Sequence, residues 1–178
     1  ARVTGALPGA LPVALPRMGL GCMNLSHAYG VSPSESDGLA LLHAALDAGI
    51  THFDTATLYG GGRNEELVGR ALRGRRDEVI LASKGGMANV DGVKVTDGRP
   101  ETLRAQVDTS LARLGVDHID LYYLHRWDKQ VPIADSVDAL AEAVAAGKIG
   151  AIGLSEVSVA RLHEALEVAP IAAVQNEY

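Results

Sequence analysis

Four side chains that can take part in proton transfer follow three successive apolar segments of the chain. Asp54 and Tyr59 come at and just after the end of the first segment, while Lys84 and His125 follow the second and third. Because a buried Asp or Lys is costly unless it is paired, we expect an Asp54–Lys84 ion pair. An ammonium group beside a phenol stabilises the phenolate, so Tyr59 can donate a proton to a carbonyl oxygen as hydride reaches the carbon. The imidazole of His125 can orient that carbonyl or relay the proton.

Each of these residues has a plainer interpretation when it is taken alone. Asp54 suits a turn or a helix cap, and Tyr59, beside three glycines at 60–62, suits a loop aromatic. Lys84 suits a solvated surface charge and His125 a core histidine with its hydrogen bonds satisfied. Four independent accidents would not place a complementary proton-transfer set at successive segment ends. The combination therefore favours a catalytic group that acts on a carbonyl.

The elements that must position these residues alternate between short apolar runs and longer helical patterns. The predicted strands are 18–22, 51–54, 79–83, 119–124, 149–154 and 171–175. The predicted helices are 36–48, 64–72, 102–114, 133–146 and 158–168. None of the runs alternates cleanly between apolar and polar residues, which is typical of parallel strands covered on both faces.

Five βα repeats and a sixth strand predict an α/β fold with a parallel sheet and right-handed crossovers. An open doubly wound sheet and a closed (β/α)8 TIM barrel both begin this way. The barrel is favoured because residues 19–24 lack the third glycine of a dinucleotide-binding turn. It is also favoured because polar residues follow several strands, where barrel enzymes place their chemistry. We expect residues 1–178 to form one barrel-type domain that ends after the sixth strand. A further segment is needed to close an eight-stranded barrel.

The first sixteen residues contain Ala-Leu-Pro three times. Prolines at 8, 12 and 16 suit an N-terminal edge hairpin or an extended cover strand. These prolines interrupt every apolar helix that could form there, and the segment lacks the basic n-region of a signal peptide, so no secretion signal is expected.

Composition and charge exclude several function classes. A formal net charge of -6 gives no electrostatic reason to expect nucleic acid or an anionic membrane surface. No apolar window approaches the length of a membrane span. Cys22 is the single cysteine, so no intramolecular disulfide can form, and a reducing, cytoplasmic location is expected. No metal site is expected, because five further histidines share no ligand spacing: His27, His43, His52, His118 and His163.

The segment Gly-Ile-Thr-His-Phe-Asp-Thr-Ala-Thr-Leu-Tyr-Gly at 49–60, with Asn64-Glu65 soon after, resembles the signature of the aldo-keto reductase family. Similar matches occur at 82–84, 110–114, 117–125 and 147–155. The resemblance runs from about residue 16 to the last residue. It implies that Tyr59 is the proton donor, that Lys84 and Asp54 tune it, and that His125 orients the substrate. It also implies a nicotinamide cofactor lying extended across the C-terminal face of the barrel.

The same resemblance extends to cofactor and substrate contacts. It assigns the nicotinamide carboxamide to Ser155 and Gln175. Glu156 stands where many relatives have Asn, as in a Ser-Glu subgroup of bacterial-type reductases, so its contact with the cofactor is left open. Residues lining the cofactor and substrate side after the first strand are Gly21, Cys22 and Met23. Trp127 is assigned either to the substrate pocket or to ordinary loop packing.

Asn64, Glu65 and Glu66 open the second predicted helix, and we expect them to cap it.

The function expected is NAD(P)H-dependent reduction of aldehydes or ketones. NADPH is the usual cofactor of the family that the chain resembles, and NADH is not excluded. The expected partner is a small carbonyl substrate, and oligomerisation is left open. Two alternatives remain: a reductase-like β subunit that senses nicotinamide redox state for a partner protein, and an inactive barrel fragment.

Overall fold

The computed structural model describes residues 9, 11, 14–26 and 30–177, so most of the predicted N-terminal hairpin lies outside the described residues. Six strands form one parallel sheet, and their order in the sheet is the same as their order along the chain. They are β1 (Leu20–Gly21), β2 (His52–Asp54), β3 (Ile80–Gly85), β6 (Ile119–Leu124), β7 (Ile149–Ser155) and β8 (Ile171–Gln175). β4 (Met87–Val90) and β5 (Val93–Thr96) form a separate antiparallel pair.

Five helices connect the parallel strands. They are α1 (Glu35–Asp47), α2 (Arg63–Ala71), α3 (Pro100–Leu114), α4 (Ile133–Ala145) and α5 (Val159–Leu166). All predicted strand and helix bounds lie within two residues of these. Within the described part of the chain, no helix combines the length and the apolar character needed to cross a membrane.

The six-stranded sheet is curled, not flat. Gln175 on β8 donates from Nε2 to Oδ2 of Asp54 on β2 at 3.2 Å, although three strands lie between β2 and β8 in the sheet. Neighbouring strands are about 4.8 Å apart, so in a flat sheet β2 and β8 would be separated by roughly 19 Å. The contact therefore requires the sheet to close around an interior, as the first part of a barrel does.

The two faces of the curled sheet carry different side chains because successive residues point to opposite faces. The outer face packs against the helices through large apolar residues such as Leu81, Tyr122 and Leu154. The inner face carries a smaller cluster of Ala82, Leu121, Tyr123 and Ala151. Continuing the inner face along each strand in steps of two residues leads from Ala82 to Lys84, from Tyr123 to His125 and, past Gly153, from Ala151 to Ser155. The period of the strands thus points the predicted site residues inward at the carboxyl ends.

The β4–β5 hairpin was not predicted, although its signal is present in the sequence. Asp91 and Gly92 form the two-residue turn with φ angles of 51° and 84°. Two positive φ values in succession are what a type I′ hairpin turn requires, and Asp-Gly is one of its preferred sequences. The hairpin brings Met87 and Lys94 over the carboxyl end of the sheet.

The expectation that Asn64 and Glu65 cap the second helix is wrong. The N-cap position of α2 is Gly62, in a left-handed conformation and without a side-chain cap. Asn64 and Glu65 are instead fully buried. Glu65 accepts a hydrogen bond from Ser83 Oγ at 2.7 Å and faces Arg113 Nη1 at 3.4 Å. Its carboxylate therefore joins α2 to β3 and α3, and burial raises the pKa of Glu65 above its ordinary value.

The raised pKa of Glu65 predicts a pH dependence of stability. As the pH rises above about 4.5, the Glu65 carboxyl ionises in the unfolded chain while it is still protonated in the folded protein. In that range the folded state holds more protons, so the free energy of unfolding falls as the pH rises. Glu65→Gln removes this loss. In urea titrations at increasing pH, the stability of native protein should decline relative to Glu65→Gln. Glu66→Gln, at an exposed position of the same turn, is the matched control, and an equal trend in both variants would contradict burial as the cause.

Candidate active site

Inward-facing residues at the carboxyl ends of the strands line a cavity of about 400 Å³. Its lining includes seven of the residues expected from the sequence: Met23, Tyr59, Lys84, His125, Ser155, Glu156 and Gln175. Six lining residues were not expected: Leu58, Met87, Lys94, Arg126, Asn176 and Glu177. Met87 and Lys94 belong to the missed hairpin, whose Asp-Gly turn was the signal available for them.

The predicted ion pair between Asp54 and Lys84 is present. Lys84 Nζ lies 2.6 Å and 2.7 Å from the two carboxylate oxygens of Asp54. It also donates to the carbonyl oxygen of Thr55 at 3.0 Å and lies 3.5 Å from the hydroxyl of Tyr59. The Lys84 side chain is 2% exposed, so its charge is balanced inside the protein. Two of its protons are held by Asp54 and Thr55, which directs the remaining one toward the phenol.

Tyr59 opens a short turn that ends at Gly62. The three glycines that follow Tyr59 have φ angles of 59°, 66° and 99°, a region that other residues rarely adopt. This turn leaves the phenol beside both Lys84 and His125. The rings of Tyr59 and His125 meet edge to face, with their centroids 5.8 Å apart. An ammonium group, a phenol and an imidazole therefore share one side of the cavity.

Ser155 and Gln175 sit opposite each other in the β7–β8 register. Ser155 Oγ accepts a hydrogen bond from Arg126 Nη1 at 3.0 Å, so its own O–H is available to donate. Gln175 uses Nε2 to donate to Asp54, which leaves its Oε1 available to accept. One donor and one acceptor on adjacent strand ends complement a carboxamide group, which carries one C=O and one NH₂.

Glu156 is used within the protein. Its Oε1 accepts a hydrogen bond from the backbone N–H of Glu177 at 2.7 Å, and its own N–H donates to the carbonyl of Gln175 at 3.0 Å. Glu156 has a φ of 52°, so it occupies a left-handed position at the end of β7. The side chain anchors the segment after β8 while lining the cavity.

Cys22, which the resemblance places on the cofactor side, is fully buried and is not among the residues that line the cavity. Its N–H donates to Asp54 O at 2.8 Å, its carbonyl accepts from Asn64 Nδ2 at 2.8 Å, and its thiol faces Leu20 O at 3.6 Å. Burial, followed by the negative charge of Asp54, raises the pKa of the thiol to about 12. The neighbouring Met23 does line the cavity, and Gly21 is exposed with open space around its Cα.

Trp127 lies outside the lining of the cavity, which favours its alternative assignment to loop packing. Its indole Nε1–H donates to the carbonyl of Val131 at 3.0 Å, and the guanidinium of Arg161 lies 4.8 Å from its ring centroid. The tryptophan therefore joins its own loop to α5, and it packs against the outer core.

Three further histidines contact backbone carbonyl oxygens. His43 contacts Ala71 O, His52 contacts Ile80 O and His118 contacts Gly147 O, at 3.1, 3.1 and 2.8 Å. Of the residues that the structure describes, no group of three or more His, Cys, Asp or Glu is placed to hold a metal ion.

A sequence model of the aldo/keto reductase family matches residues 17–178. The chain belongs to this family. It is 44% identical over 168 residues to the aldo-keto reductase yakc [NADP(+)] of Schizosaccharomyces pombe, a match that covers 92% of this chain and 49% of that protein. The chain thus spans about half the length of that curated relative.

Solved aldo-keto reductase structures share the fold. The holo form of AKR11C1 from Bacillus halodurans superimposes with a TM-score of 0.85 at 32% identity, covering 96% of this chain and 56% of that chain. An aldo-keto reductase from Klebsiella pneumoniae in complex with NADPH gives a TM-score of 0.76 at 30% identity, covering 94% of this chain and 56% of that one. These matches confirm the predicted fold class: the six strands and five helices are part of a (β/α)8 barrel.

The buried pair predicts an asymmetric response to mutation. Lys84→Met keeps the side-chain volume but leaves the Asp54 carboxylate without its partner, so we expect a loss of about 3 kcal/mol or more in the free energy of unfolding. Adding Asp54→Asn to Lys84→Met should recover part of that loss. Arg104→Met, which breaks an exposed pair with Glu142, is the control and should change stability little. Equal losses at the buried and exposed pairs in urea denaturation would refute this account.

Proposed function

We propose that the natural protein reduces aldehydes or ketones to alcohols with NADPH by direct hydride transfer, and that residues 1–178 form part of one barrel domain. The observation that carries the proposal is the meeting of Tyr59, Lys84 and His125 at one cavity, with Asp54 paired to Lys84. The proposed partner is a small carbonyl compound. The single buried cysteine suits a reducing, cytoplasmic location.

In this proposal Tyr59 is the acid. Its proton leaves the phenol oxygen for the carbonyl oxygen, and the negative charge left behind faces the Lys84 ammonium 3.5 Å away. Asp54 holds that ammonium in place and balances its charge in the resting protein. His125, edge to face with Tyr59, orients the carbonyl by hydrogen bonding. Groups that are already positioned need no reorganisation when charge develops, which is the main source of this type of catalysis.

Tyr123 is a second phenol near the same ammonium, with Lys84 Nζ 5.8 Å from its ring centroid. Burial, followed by the charge of Asp54, raises the pKa of Tyr123 to about 12. Tyr123 packs within the inner apolar cluster, whereas Tyr59 lines the cavity. Access to the cavity, in addition to proximity to Lys84, therefore supports Tyr59 as the proton donor.

The residues present suit a nicotinamide cofactor. When bound, the reduced nicotinamide supplies the hydride for the carbonyl carbon. Among the described residues, the O–H of Ser155 and Oε1 of Gln175 are left without a hydrogen-bond partner, and they are suited to hold its carboxamide. Gly21 and Met23 lie on the same side of the sheet end. The NADP(+) in the name of the S. pombe relative and the NADPH in the K. pneumoniae complex support NADPH. NADH is the alternative.

The test is NADPH oxidation, followed at its absorbance band, with 4-nitrobenzaldehyde and the full-length natural protein. Tyr59→Phe should lower turnover by about 100-fold or more, the usual contribution of a general acid, while NADPH binding is retained. Tyr122→Phe is the matched control, because Tyr122 faces away from the cavity and contacts Ser110; it should keep native turnover.

The other outcomes select between the remaining alternatives. Tight NADPH binding without turnover by the native protein would favour a nicotinamide-sensing regulatory subunit. Absence of both binding and turnover would favour an inactive barrel fragment. Native turnover that survives in Tyr59→Phe would remove Tyr59 from the role of acid.

A further inference from the structure

We propose that Asn64 is a positioning residue that holds the segment 22–26 against the turn of Tyr59, and so sets the mouth of the cavity between Met23 and Tyr59. Its effect on catalysis rests on the proposed reductase function. Its effect on the segment does not, and the two can be measured separately.

The amide of Asn64 joins three parts of the chain. It is fully buried at the start of α2. Its Oδ1 accepts a hydrogen bond from Thr55 Oγ1 at 2.6 Å, just after β2. Its Nδ2 donates to the carbonyl oxygen of Cys22 at 2.8 Å and to Ser26 Oγ at 3.0 Å. Both N–H groups and the carbonyl of one side chain are therefore used, and two of the three bonds hold the segment after β1.

Two of the three partners of Asn64, Thr55 and Cys22, also contact residues of the proposed catalytic group. The carbonyl of Thr55 accepts from Lys84 Nζ at 3.0 Å. The N–H of Cys22 donates to Asp54 O at 2.8 Å, and Met23, the next residue, lines the cavity.

The far end of the segment lies against the turn of Tyr59. A Cβ placed on Gly60 would come within 2.9 Å of Ser26 Cβ and 3.0 Å of its backbone oxygen. Ser26 thus packs directly on the residue that follows Tyr59. Asn64 contacts no reacting atom, but it determines how closely the segment 22–26 approaches that turn.

The chemistry of this position requires an amide. An amide supplies one acceptor and two donors in a fixed plane, which matches one hydroxyl donor and two oxygen acceptors. A leucine, which has no hydrogen-bonding group, would remove this partner from the buried Thr55 hydroxyl and Cys22 carbonyl and from the half-buried Ser26 hydroxyl. An ionised carboxylate would still accept from Thr55 but could not donate to Cys22 or Ser26.

Cys22 provides a readout that does not depend on turnover. It is the single cysteine of the sequence and is fully buried, so its alkylation by iodoacetamide requires the segment to open. We expect Asn64→Leu and Asn64→Asp to speed alkylation of Cys22, followed by peptide mass spectrometry, by about tenfold or more through the lost hydrogen bonds. Ser26→Ala, which removes a single partner at a half-buried position, should show a smaller increase.

The control separates local opening from general loss of stability. Ser136 lies on α4, far along the chain from the segment 22–26. Ser136→Ala removes another fully buried hydroxyl, which donates to the carbonyl oxygen of Gly98 at 2.6 Å. With melting curves recorded for each variant, Cys22 in Ser136→Ala should be alkylated at the native rate. Equal acceleration in Ser136→Ala and the Asn64 variants, or fast alkylation of native protein, would overturn the proposal.

The catalytic consequence is tested on folded variants of the full-length protein. Asn64→Leu should lower kcat for 4-nitrobenzaldehyde by about 100-fold, the usual effect of a displacement of about 1 Å, and Ser136→Ala should keep native kcat. Native kcat in Asn64→Leu, despite faster alkylation of Cys22, would overturn a positioning role in catalysis. Absence of turnover in the native protein would count against the proposed function, while the alkylation result would still decide the role of Asn64 in the structure.

Discussion

A lysine ammonium buried inside a curled sheet needs a compensating charge, and much of this structure is arranged around that need. Lys84 meets both carboxylate oxygens of Asp54 and the carbonyl of Thr55. Asp54 also accepts from Gln175 across the interior. The ion pair joins the neighbouring strands β2 and β3, and the hydrogen bond from Gln175 to the same carboxylate adds β8, which is distant from β2 in the order of the sheet. Because the pair lies at the carboxyl ends of the strands, it is also the centre of the proposed chemistry.

The first turn of α2 supports this centre from two directions. Asn64 holds the segment after β1 and the residue after β2. Glu65, on the adjacent position of the helix, holds Ser83, which directly precedes Lys84 in β3. Buried polar groups are costly unless their hydrogen bonds are made. The first turn of α2 thus gives polar support to the wall of the cavity.

Hydrogen bonds inside the protein already use part of the polar groups around the cavity. Arg126 donates a hydrogen bond to Ser155 Oγ, so the hydroxyl proton of Ser155 remains available to donate. Gln175 donates its Nε2–H to Asp54, so its Oε1 remains available to accept. Glu156, which also lines the cavity, accepts a hydrogen bond from the N–H of Glu177. Hydrogen-bond partners within the protein therefore determine which groups remain for a ligand.

Much of the fold followed from the sequence by itself, because apolar periodicity is a local property. The six parallel strands, the five helices and the inward direction of Lys84 and Ser155 could all be predicted from it. The Asp54–Lys84 pair could be predicted from the cost of burying either charge alone. The Asp91–Gly92 turn is a local signal for the β4–β5 hairpin. Tertiary structure alone decided that Asn64 and Glu65 are buried links, that Cys22 belongs to the outer core, and that Trp127 packs on α5. Each depends on which distant groups meet when the sheet curls, and no spacing along the chain encodes that distance.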